Sequence, residues 1–462
     1  MRVPQHARVT IDRSARAWLD RIADPDSWAP WHQPDGCDCD ERSEIATGTA
    51  SIGGVPVTLV LTGSRDGVAT LTEHIAGELT TAFDRAVAES LPVFAVATSA
   101  GVRLQEGTPA FVSMTDVAAA VARHRDAGLL FTCYLADPTT GGTLASWAGA
   151  ASVRLAEPGA LIAFAGPRVV ELTTHVEMPV DAYRAEALQQ RGVVDIVVAA
   201  DGLRDVARTV LRALIEPDEP KDVTAPADCV ESGDAWDAVQ RTRRPDRPGA
   251  RELLGELTDV VELKGDGLGA GDEPTMIAAF GRLRGRRVAF VGHDRSAGAE
   301  RAAVTPAGLR KAQRVLRLAE SFGVPLVSVV DTPGARLDEA SGADDIAFEI
   351  SAALTERSSA MSRGVRLVCV LLGEGGGGAA LAFVPAQHVV AAQSAWLAPL
   401  PPEGSSAVLH RDVAHAAEAA RAQHITAADL HAAGRVQTVV AESADWIGAL
   451  ADAVAVALDG LS

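Results

Sequence analysis

Two segments of this sequence share one pattern: ESLPVFAVATSAGVRLQEG at residues 89–107 and ESFGVPLVSVVDTPGARLDEA at residues 320–340. Each begins with an apolar run of strand length, continues into a turn of small residues, and ends in Gly-x-Arg-Leu-x-Glu. A buried strand that leads through such a turn into a helical segment is typical of α/β folds. The pattern therefore predicts the same structural unit twice.

A second pair of segments follows in the same order, CYLADPTTGGTLA at 133–145 and CVLLGEGGGGAALA at 369–382. Two features that recur at nearly one offset indicate a duplicated domain, although ordinary strand–turn–helix units in a chain rich in alanine and glycine would also look alike. We expect an α/β protein with two tandem domains, over 1–215 and 251–462. A linker rich in Pro, Asp and Arg is expected to join them at 216–250.

The composition excludes several classes of function. The 462 residues carry 61 acidic and 42 basic side chains, a net charge of −19, whereas nucleic-acid binding needs a basic surface. No apolar run approaches the ~18–20 residues of a membrane span, and the N-terminal residues lack the apolar core of a signal peptide. The five cysteines, an odd and sparse set, predict a reduced, cytoplasmic protein, and we expect no metal site.

Glycine-containing turns carry the chemistry that this sequence offers. In each half two strands end in such a turn: Ser99–Gly101 and Gly141–Gly142 in the first half, and Thr332–Gly334 and Gly375–Gly378 in the second. Small residues let a ligand carbonyl approach the main chain. The first N–H groups of the following helix lack acceptors and lie at its positive end. The turns therefore favour an oxyanion, although the same glycines would also serve only to close turns and to pack helices on sheets.

Other catalytic patterns are absent from the sequence. It contains neither a GxSxG elbow nor a GxxxxGK[ST] loop. The run GDGLGAG at 265–271 is similar to a dinucleotide-binding fingerprint, but Asp272, Glu273 and Pro274 follow it where an apolar helix start is needed. The eleven histidines form no HxxxH or HExxH pair. The reaction is therefore expected to depend on main-chain groups.

At these turns the sequence resembles the carboxyltransferase component of biotin-dependent acyl-CoA carboxylases. The matching motifs are SAGVRLQEG (99–107), AFAGPRV (163–169), DTPGAR (331–336), GEGGGGAALAF (373–383) and PPEGSSAVL (401–409). The first half looks like the β subunit of the bacterial acetyl-CoA enzyme and the second like its α subunit, over most of residues 45–215 and 235–440. The resemblance implies a crotonase-like (ClpP/crotonase) ββα superhelix in each half.

The resemblance also implies the reaction and its partners. Such enzymes move a carboxyl group from carboxybiotin to the α-carbon of an acyl-CoA through an enolate, and the biotin ureido nitrogen takes the proton. The three lysines, Lys221, Lys264 and Lys311, lack the Met-Lys-Met setting of a biotinyl-lysine. We therefore expect carboxybiotin to be supplied in trans by a biotin carboxyl carrier protein and a separate biotin carboxylase. The active sites are expected at interfaces of a homodimer or higher homo-oligomer.

Carried over by position, six residues supply or flank the main-chain oxyanion donors: Ala100, Gly101, Gly141, Gly142, Gly378 and Ala379. At Ala100 and Ala379 the family usually has glycine. An alanine keeps the N–H group but adds a methyl and restricts the backbone. Around Gly378 the sequence predicts a strand over 367–372 and a helix over 379–384.

Coenzyme A carries several negative charges, so binding to a chain of this net charge needs local arginines. The candidates are Arg103, Arg168 and Arg336, each near one of the turns. An arginine in such a place would instead pair with a carboxylate such as Glu106 or Glu339.

Two other functions stay open from the sequence. The run GVRLQE at 101–106 also resembles the malonate decarboxylase β subunit, and biotin-independent decarboxylation of a malonyl-type thioester needs the same oxyanion turns. The alanines at 100 and 379 also fit a catalytically degenerate paralogue that scaffolds a true carboxylase.

Overall fold

The computed structural model describes residues 14–31, 44–63, 69–230, 233–269, 271–297, 303–339, 342 and 345–461. These residues divide into two compact units. The first contains the described residues up to Gln189 together with Val194–Arg208, and the second contains Gln190–Val193 and the described residues from Thr209 on. No helix within these ranges is long and apolar enough to cross a membrane.

The sheet of the first unit contains these described strands: β1 (Ala29–Pro30), β2 (Ile45–Ile52), β3 (Val55–Thr62), β4 (Val93–Ser99), β5 (Phe131–Thr140), β6 (Val153–Ala156), β7 (Ile162–Ala163) and β8 (Ile196–Val197). Their order is β1-β2-β3-β4-β5-β6-β8, and β7 pairs with β5. The hairpin β2–β3 is antiparallel, and the pairs from β3 to β6 are parallel. Every residue of β4 is buried, because helices cover both faces of such a parallel strand.

The helices up to residue 214 are Ala15–Ile22, Glu73–Glu89, Thr108–Val112, Met114–Asp126, Gly142–Ser146, Pro167–Thr174, Ala185–Gln190 and Leu203–Leu214, with short 3₁₀ helices at Leu104–Glu106, Ala148–Ala150, Val180–Tyr183 and Ala200–Gly202. Large aromatic side chains fill the core of this unit. Trp18, Tyr134 and Trp147 are all fully buried, and the ring of Trp18 meets that of Tyr134 edge-on. Such edge-on contacts are a favoured packing of aromatic rings.

The sheet of the second unit contains the described strands β9 (Leu257–Glu262), β10 (Met276–Leu283), β11 (Arg286–His293), β12 (Leu326–Thr332), β13 (Leu367–Gly375), β14 (His388–Ala392) and β15 (Thr438–Val440). Their order is β15-β14-β13-β12-β11-β10-β9. The helices from residue 235 on are Ala235–Thr242, Ala250–Leu254, Pro306–Ser321, Ile346–Ser362, Gly377–Leu381, Pro402–His410, Ala416–Ala422, Ala427–Ala432 and Trp446–Gly460, with a 3₁₀ helix at Arg295–Ala297.

The two sheets have the same construction, as expected for an α/β fold that occurs twice in the chain. In each, an antiparallel hairpin (β2–β3 or β10–β11) is followed by parallel strands that are added one after another. The pairing of β4 with β5 shifts register just before Ser99, and that of β12 with β13 shifts just before Thr332. Both shifts lie at the carboxyl ends of the strands, directly before the glycine turns.

The segment 216–250, predicted as a linker, contains a helix at Ala235–Thr242. Its Val239 is fully buried in a cluster with Trp396, whose indole N–H donates to Thr242 Oγ1 at 3.0 Å. This part of the segment therefore packs within the second unit. Its two helical turns are too short to give a clear apolar period in the sequence.

The elements around Gly378 differ from their predicted bounds. The strand extends to Gly375 rather than ending at residue 372, and the helix is Gly377–Leu381 rather than 379–384. The prediction was wrong because a run of glycines has low intrinsic preference for strand or helix. Here tertiary contacts override that preference: the Gly377 N–H donates to Ala398 O at 2.9 Å.

Candidate active site

The predicted turns of the first unit lie where β4 and β5 end. The Oγ of Ser99 accepts the N–H of Gly101 at 3.0 Å and the hydroxyl of Thr143 at 2.8 Å. Gly101 and Gly141 have φ values of +105° and +66°, and a Cβ atom on Gly141 would lie 2.9 Å from the Gly101 Cα. The main chains of the two turns are thus in contact, which requires glycine at both positions.

Three of the predicted N–H groups in this unit already have acceptors. The N–H of Ala100 donates to a main-chain carbonyl at 2.9 Å, that of Gly101 to the Ser99 hydroxyl, and that of Gly141 to another carbonyl at 3.2 Å. Gly142 is the first residue of its short helix, where N–H groups have no intrahelical acceptor. Of the residues predicted in this half, Gly142 therefore has the geometry of a donor to a ligand.

The second unit repeats this arrangement where β12 and β13 end. The Oγ1 of Thr332 accepts the N–H of Gly334 at 3.2 Å. Gly377 has a φ of +68°, close to that of the glycine at the same place in the first unit. Gly378 and Ala379 lie in the first turn of the helix Gly377–Leu381. The Gly378 N–H thus occupies the position of the Gly142 N–H in the other unit, one residue after the glycine of positive φ.

The two alanines that replace the usual glycines differ in where their methyl groups lie. The side chain of Ala379 is fully buried, so its methyl does not narrow the approach to the neighbouring N–H groups. Gly378 beside it is exposed. Ala100 is also exposed, but its N–H donates to the main-chain carbonyl of Ala69. The substitution at 379 therefore leaves the second pair of turns open to a ligand.

Two of the three predicted arginines are paired with carboxylates. The Nη2 of Arg103 lies 2.8 Å from both oxygens of Glu44, while Glu106 is more distant, at 4.0 Å. The Nη1 of Arg336 lies 3.9 Å from Glu273 Oε2. Both arginines thus pair with carboxylates: Arg103 chiefly with Glu44 and at longer distance with the suggested Glu106, and Arg336 with Glu273, which the sequence did not suggest.

The third predicted arginine, Arg168, is exposed in the helix Pro167–Thr174. No ion pair of Arg168 is found within the described part of the chain. This helix follows β7, which pairs with the end of β5 at Thr139 and Thr140. Arg168 is therefore the predicted arginine whose charge is available to a ligand of the first unit.

A buried carboxyl group lies behind the second pair of turns, and the sequence had indicated no role for it. Asp331 precedes Thr332, and its Oδ1 accepts the N–H of Glu374 at 3.1 Å. Burial raises the pKa of Asp331 to about 6. The buried His293 ring lies beside it, with Nδ1 3.4 Å from the Asp331 nitrogen, and burial lowers the pKa of His293 to about 4.

An arginine from the predicted linker joins two further carboxylates here. Arg243 binds Glu374 at the end of β13 and Glu403 in the first turn of the helix Pro402–His410. Its hydrogen bond lowers the pKa of Glu403. Glu374 and Glu403 stand in the motifs GEGGGG and PPEG, which carry the resemblance to the carboxyltransferases, whereas no signal in the sequence marked Arg243.

A cavity of about 360 Å³ in the second unit is lined by Asp331, Glu374 and Arg243. Its arginines are engaged: besides Arg243, Arg247 binds Glu442 and Arg251 binds Asp294. The cavity therefore offers a ligand no unpaired arginine among the described residues. We interpret these ion pairs as a support for the turns.

Comparison with known proteins decides the family. The family model described as acetyl co-enzyme A carboxylase carboxyltransferase-like matches residues 208–458. The probable biotin-dependent acyl-coenzyme A carboxylase beta3 subunit of Mycobacterium tuberculosis is 43% identical over 371 residues, which cover 80% of this chain and 74% of the relative. This chain belongs to the carboxyltransferase family of biotin-dependent acyl-CoA carboxylases.

A fused relative and a solved structure agree with this carboxyltransferase assignment. The acetyl-coenzyme A carboxylase carboxyl transferase subunits beta/alpha of Salinispora tropica is 36% identical over 420 residues, 87% of this chain and 73% of the relative. The structure of transcarboxylase 12S superposes with a TM-score of 0.78 at 22% identity and covers 97% of this chain and 89% of its own. That likeness confirms the crotonase-like fold of both units.

The carboxyltransferase was expected to act without a metal. Within the described ranges, no three His, Cys, Asp or Glu side chains come together as a metal site.

Proposed function

We propose that this carboxyltransferase moves the carboxyl group from carboxybiotin, held on a separate carrier protein, to the α-carbon of an acyl-CoA. The observation that carries the proposal is the repeated pair of glycine turns, each followed by a helix whose first N–H groups face no intrahelical acceptor. Carboxyl transfer through an enolate creates two oxyanions, the thioester enolate oxygen and the ureido oxygen of biotin. Two equivalent donor sets match that need.

In this proposal two main-chain N–H groups, that of Gly142 and that of Gly378, each stabilise one oxyanion; both lie in the first turn of their helices. Loss of carboxyl from carboxybiotin leaves a ureido nitrogen that takes the α-proton of the acyl-CoA. The resulting enolate carbon then attacks the released CO2. No step needs a protein nucleophile, and preorganised donors of this kind lower a barrier by about 3–4 kcal/mol each.

We place coenzyme A against the helix Pro167–Thr174, where Arg168 is exposed and unpaired among the described residues. A guanidinium group binds phosphate with charge-assisted hydrogen bonds. Arg103 and Arg336 are weaker candidates, because binding a phosphate would cost each of them a carboxylate partner.

We further propose that the active sites form between subunits of a homo-oligomer. Large apolar side chains are exposed beside the turns of each unit: Phe164, Val169, Leu172, Leu381, Leu400, Val408 and Leu409. Apolar groups on this scale are unusual on a monomer and typical of an interface. The transcarboxylase 12S structure is described as a hexamer assembly. We propose the same type of symmetric assembly for this protein, in the cytoplasm.

The test is carboxyl transfer by the purified chain, supplied with a biotin carboxyl carrier protein, biotin carboxylase, ATP and labelled bicarbonate. Acetyl-, propionyl- and longer acyl-CoAs are offered in turn, and we expect label in at least one malonyl-type product. A chain that instead releases CO2 from malonyl-CoA without biotin would be a decarboxylase, and the proposal would fail.

One observation favours a non-catalytic paralogue: the Ala100 N–H is directed to a main-chain carbonyl within the unit. In that case the chain would bind its carboxylase partners and turn over no acyl-CoA. Turnover by the purified chain therefore excludes this second candidate.

A further inference from the structure

A buried arginine without a carboxylate partner lies next to the glycine helix of the second unit. The side chain of Arg357, in the helix Ile346–Ser362, is only 4% exposed. Its Nη2 lies 2.9 Å from Ser328 Oγ, 3.1 Å from Phe383 O and 3.2 Å from Pro385 O. No carboxylate pairs with it in the part of the chain that the structure describes. Burial lowers the pKa of Arg357 to about 10, so it stays charged near neutral pH.

Arg357 binds the carbonyls of Phe383 and Pro385, which lie at and just after the end of the segment that begins with the proposed oxyanion donors. After the helix Gly377–Leu381 the turns continue, since the N–H groups of residues 382, 383 and 384 donate to Gly378 O, Ala380 O and Leu381 O. The chain from 377 to 384 is therefore one hydrogen-bonded unit. Arg357 holds the carboxyl end of that unit, where a positive charge also interacts favourably with the helix dipole.

The helix that carries Arg357 contacts the other end of the segment as well. Ile350 is seven residues before Arg357, so both side chains lie on one face, roughly 10 Å apart along the axis. A Cβ atom at Gly378 would lie 3.7 Å from Ile350 Cδ1. The helix Ile346–Ser362 thus lies near the donor end of the segment at Ile350 and binds its carboxyl end through Arg357.

An arginine is an energetically unfavourable residue for the buried position 357. A buried, unpaired charge costs free energy that an apolar side chain of similar volume would avoid. We propose that Arg357 is a positioning residue: by binding the carbonyls of Phe383 and Pro385 it sets the place of the Gly378 and Ala379 N–H groups for the developing oxyanion. This inference rests on the proposed function of those N–H groups.

The test compares Arg357→Met and Arg357→Lys with a matched control, Arg282→Met. Arg282 is also buried, and its described hydrogen bonds all go to main-chain carbonyls. It lies at the end of β10, at the edge of the sheet opposite the turns, because β10 runs antiparallel to β11. Both methionine variants are expected to lower Tm.

We expect only Arg357→Met to lower kcat, by about 10- to 100-fold, with KM for the acyl-CoA within twofold of wild type. Arg357→Lys should keep most of its turnover at low pH and lose it as the pH rises, because burial lowers the pKa of a lysine by several units. The wild type is the reference over the same pH range: its arginine stays charged, Asp331 titrates in both proteins, and the thiol of Cys369, which faces residue 357, stays neutral because burial raises its pKa to about 11.

Three results would overturn the inference. Equal kcat for Arg357→Met and Arg282→Met at equal loss of Tm would make Arg357 a purely structural residue. If the methionine variant does not fold, a lysine variant whose pH profile of kcat matches the wild type would have the same meaning. A wild-type chain that turns over no acyl-CoA would overturn the proposed function itself, and with it this role.

Discussion

Gly142 and Gly378 occupy equivalent places at the starts of the two glycine helices, but their surroundings differ. A Cβ atom at Gly142 would lie 2.4 Å from Met114 Sδ and 2.7 Å from Val102 Cγ2. At Gly378 the nearest atom outside the segment is 3.7 Å away, an ordinary van der Waals distance, and the residue is exposed. Glycine is thus required in the first unit because a side chain would collide with packed neighbours. In the second unit it is required because a side chain would hinder the access of a ligand to the N–H groups.

The same substitution at both positions separates these requirements. We expect Gly142→Val to lower the unfolding free energy by about 1–3 kcal/mol through overpacking. Gly378→Val keeps the N–H group but adds two methyl groups beside it, so Tm should stay near wild type while kcat falls by about 10²–10³-fold, as if the oxyanion had lost one donor. Thermal unfolding and turnover are measured on both variants. A stable and fully active Gly378→Val protein would contradict the assignment of the donor.

Asp331 is a second residue whose surroundings make a measurable prediction. Its pKa is raised to about 6, so the native state holds the proton more tightly than the unfolded chain does. The resulting stability is present at low pH and is lost as the pH rises through about 6. A difference of about two pKa units corresponds to about 3 kcal/mol at pH 7.

Asp331→Asn should therefore be more stable than wild type at pH 7, with the difference shrinking toward pH 4. Asp294→Asn is the control of opposite sign. Burial raises the pKa of Asp294, but hydrogen bonds from Ser296 and Arg251 outweigh burial and lower it overall. That variant should be less stable than wild type at pH 7. Buried His293 also titrates between pH 4 and pH 7 and affects the wild type and both variants alike. The measurement is therefore the difference in unfolding free energy between each variant and the wild type at each pH.

At the scale of elements, the helix Pro167–Thr174 stands out because none of its residues is buried. Val169 and Leu172 are 55% and 66% exposed, and Phe164 just before the helix is 78% exposed. A helix with an uncovered apolar face gains free energy when a partner covers that face. We therefore expect this helix to lie in the proposed subunit interface.

Leu172→Glu is expected to shift the protein toward monomer, because it buries a charge in that interface. Sedimentation or light scattering over a range of concentrations measures the shift. Leu268→Glu is the control, since Leu268 is also an exposed leucine, at 87%, but lies in the glycine-rich loop before β10. If both variants assemble like the wild type, the helix is not part of the interface.

At the scale of the whole molecule, the net charge of −19 opposes any polyanionic ligand. Binding of coenzyme A must then depend on local positive charge that exceeds this general repulsion. Most arginines near the turns form ion pairs within the protein, for example Arg103 with Glu44 and Arg243 with Glu374. Arg168 is left as the predicted arginine with a free charge, so a large share of the attraction is expected from it.

Reversal of that charge in Arg168→Glu should raise KM for the acyl-CoA about 10-fold or more, the value of a charge-assisted hydrogen bond, without changing Tm. Arg125→Glu makes the same change of net charge at the end of the helix that precedes β5, the opposite edge of the sheet from the turns. Equal KM values for the two variants would mean that only the net charge matters and would exclude a contact with Arg168.

Much of the architecture could be predicted because it depends on patterns that are local in the chain. The strands around 93–99 and 326–332 and the turns after them were visible as apolar runs followed by glycine. Their repetition indicated two domains of one type, which the equal strand orders confirm. The bounds near Gly378 and the helix Ala235–Thr242 were missed, because glycine has little intrinsic preference and eight residues show too few periods.

By itself the sequence determined the family, the duplicated fold and the places of the glycine turns, since each of these follows from residue types at short, constant spacings. Only the tertiary structure decided which N–H groups remain for a ligand. Ala100 and Gly141 donate to Ala69 O and Ala163 O, and Arg357 reaches carbonyls 26 and 28 residues away in the chain. Such partners are brought together by the packing of sheets and helices, and no local pattern of residues encodes them.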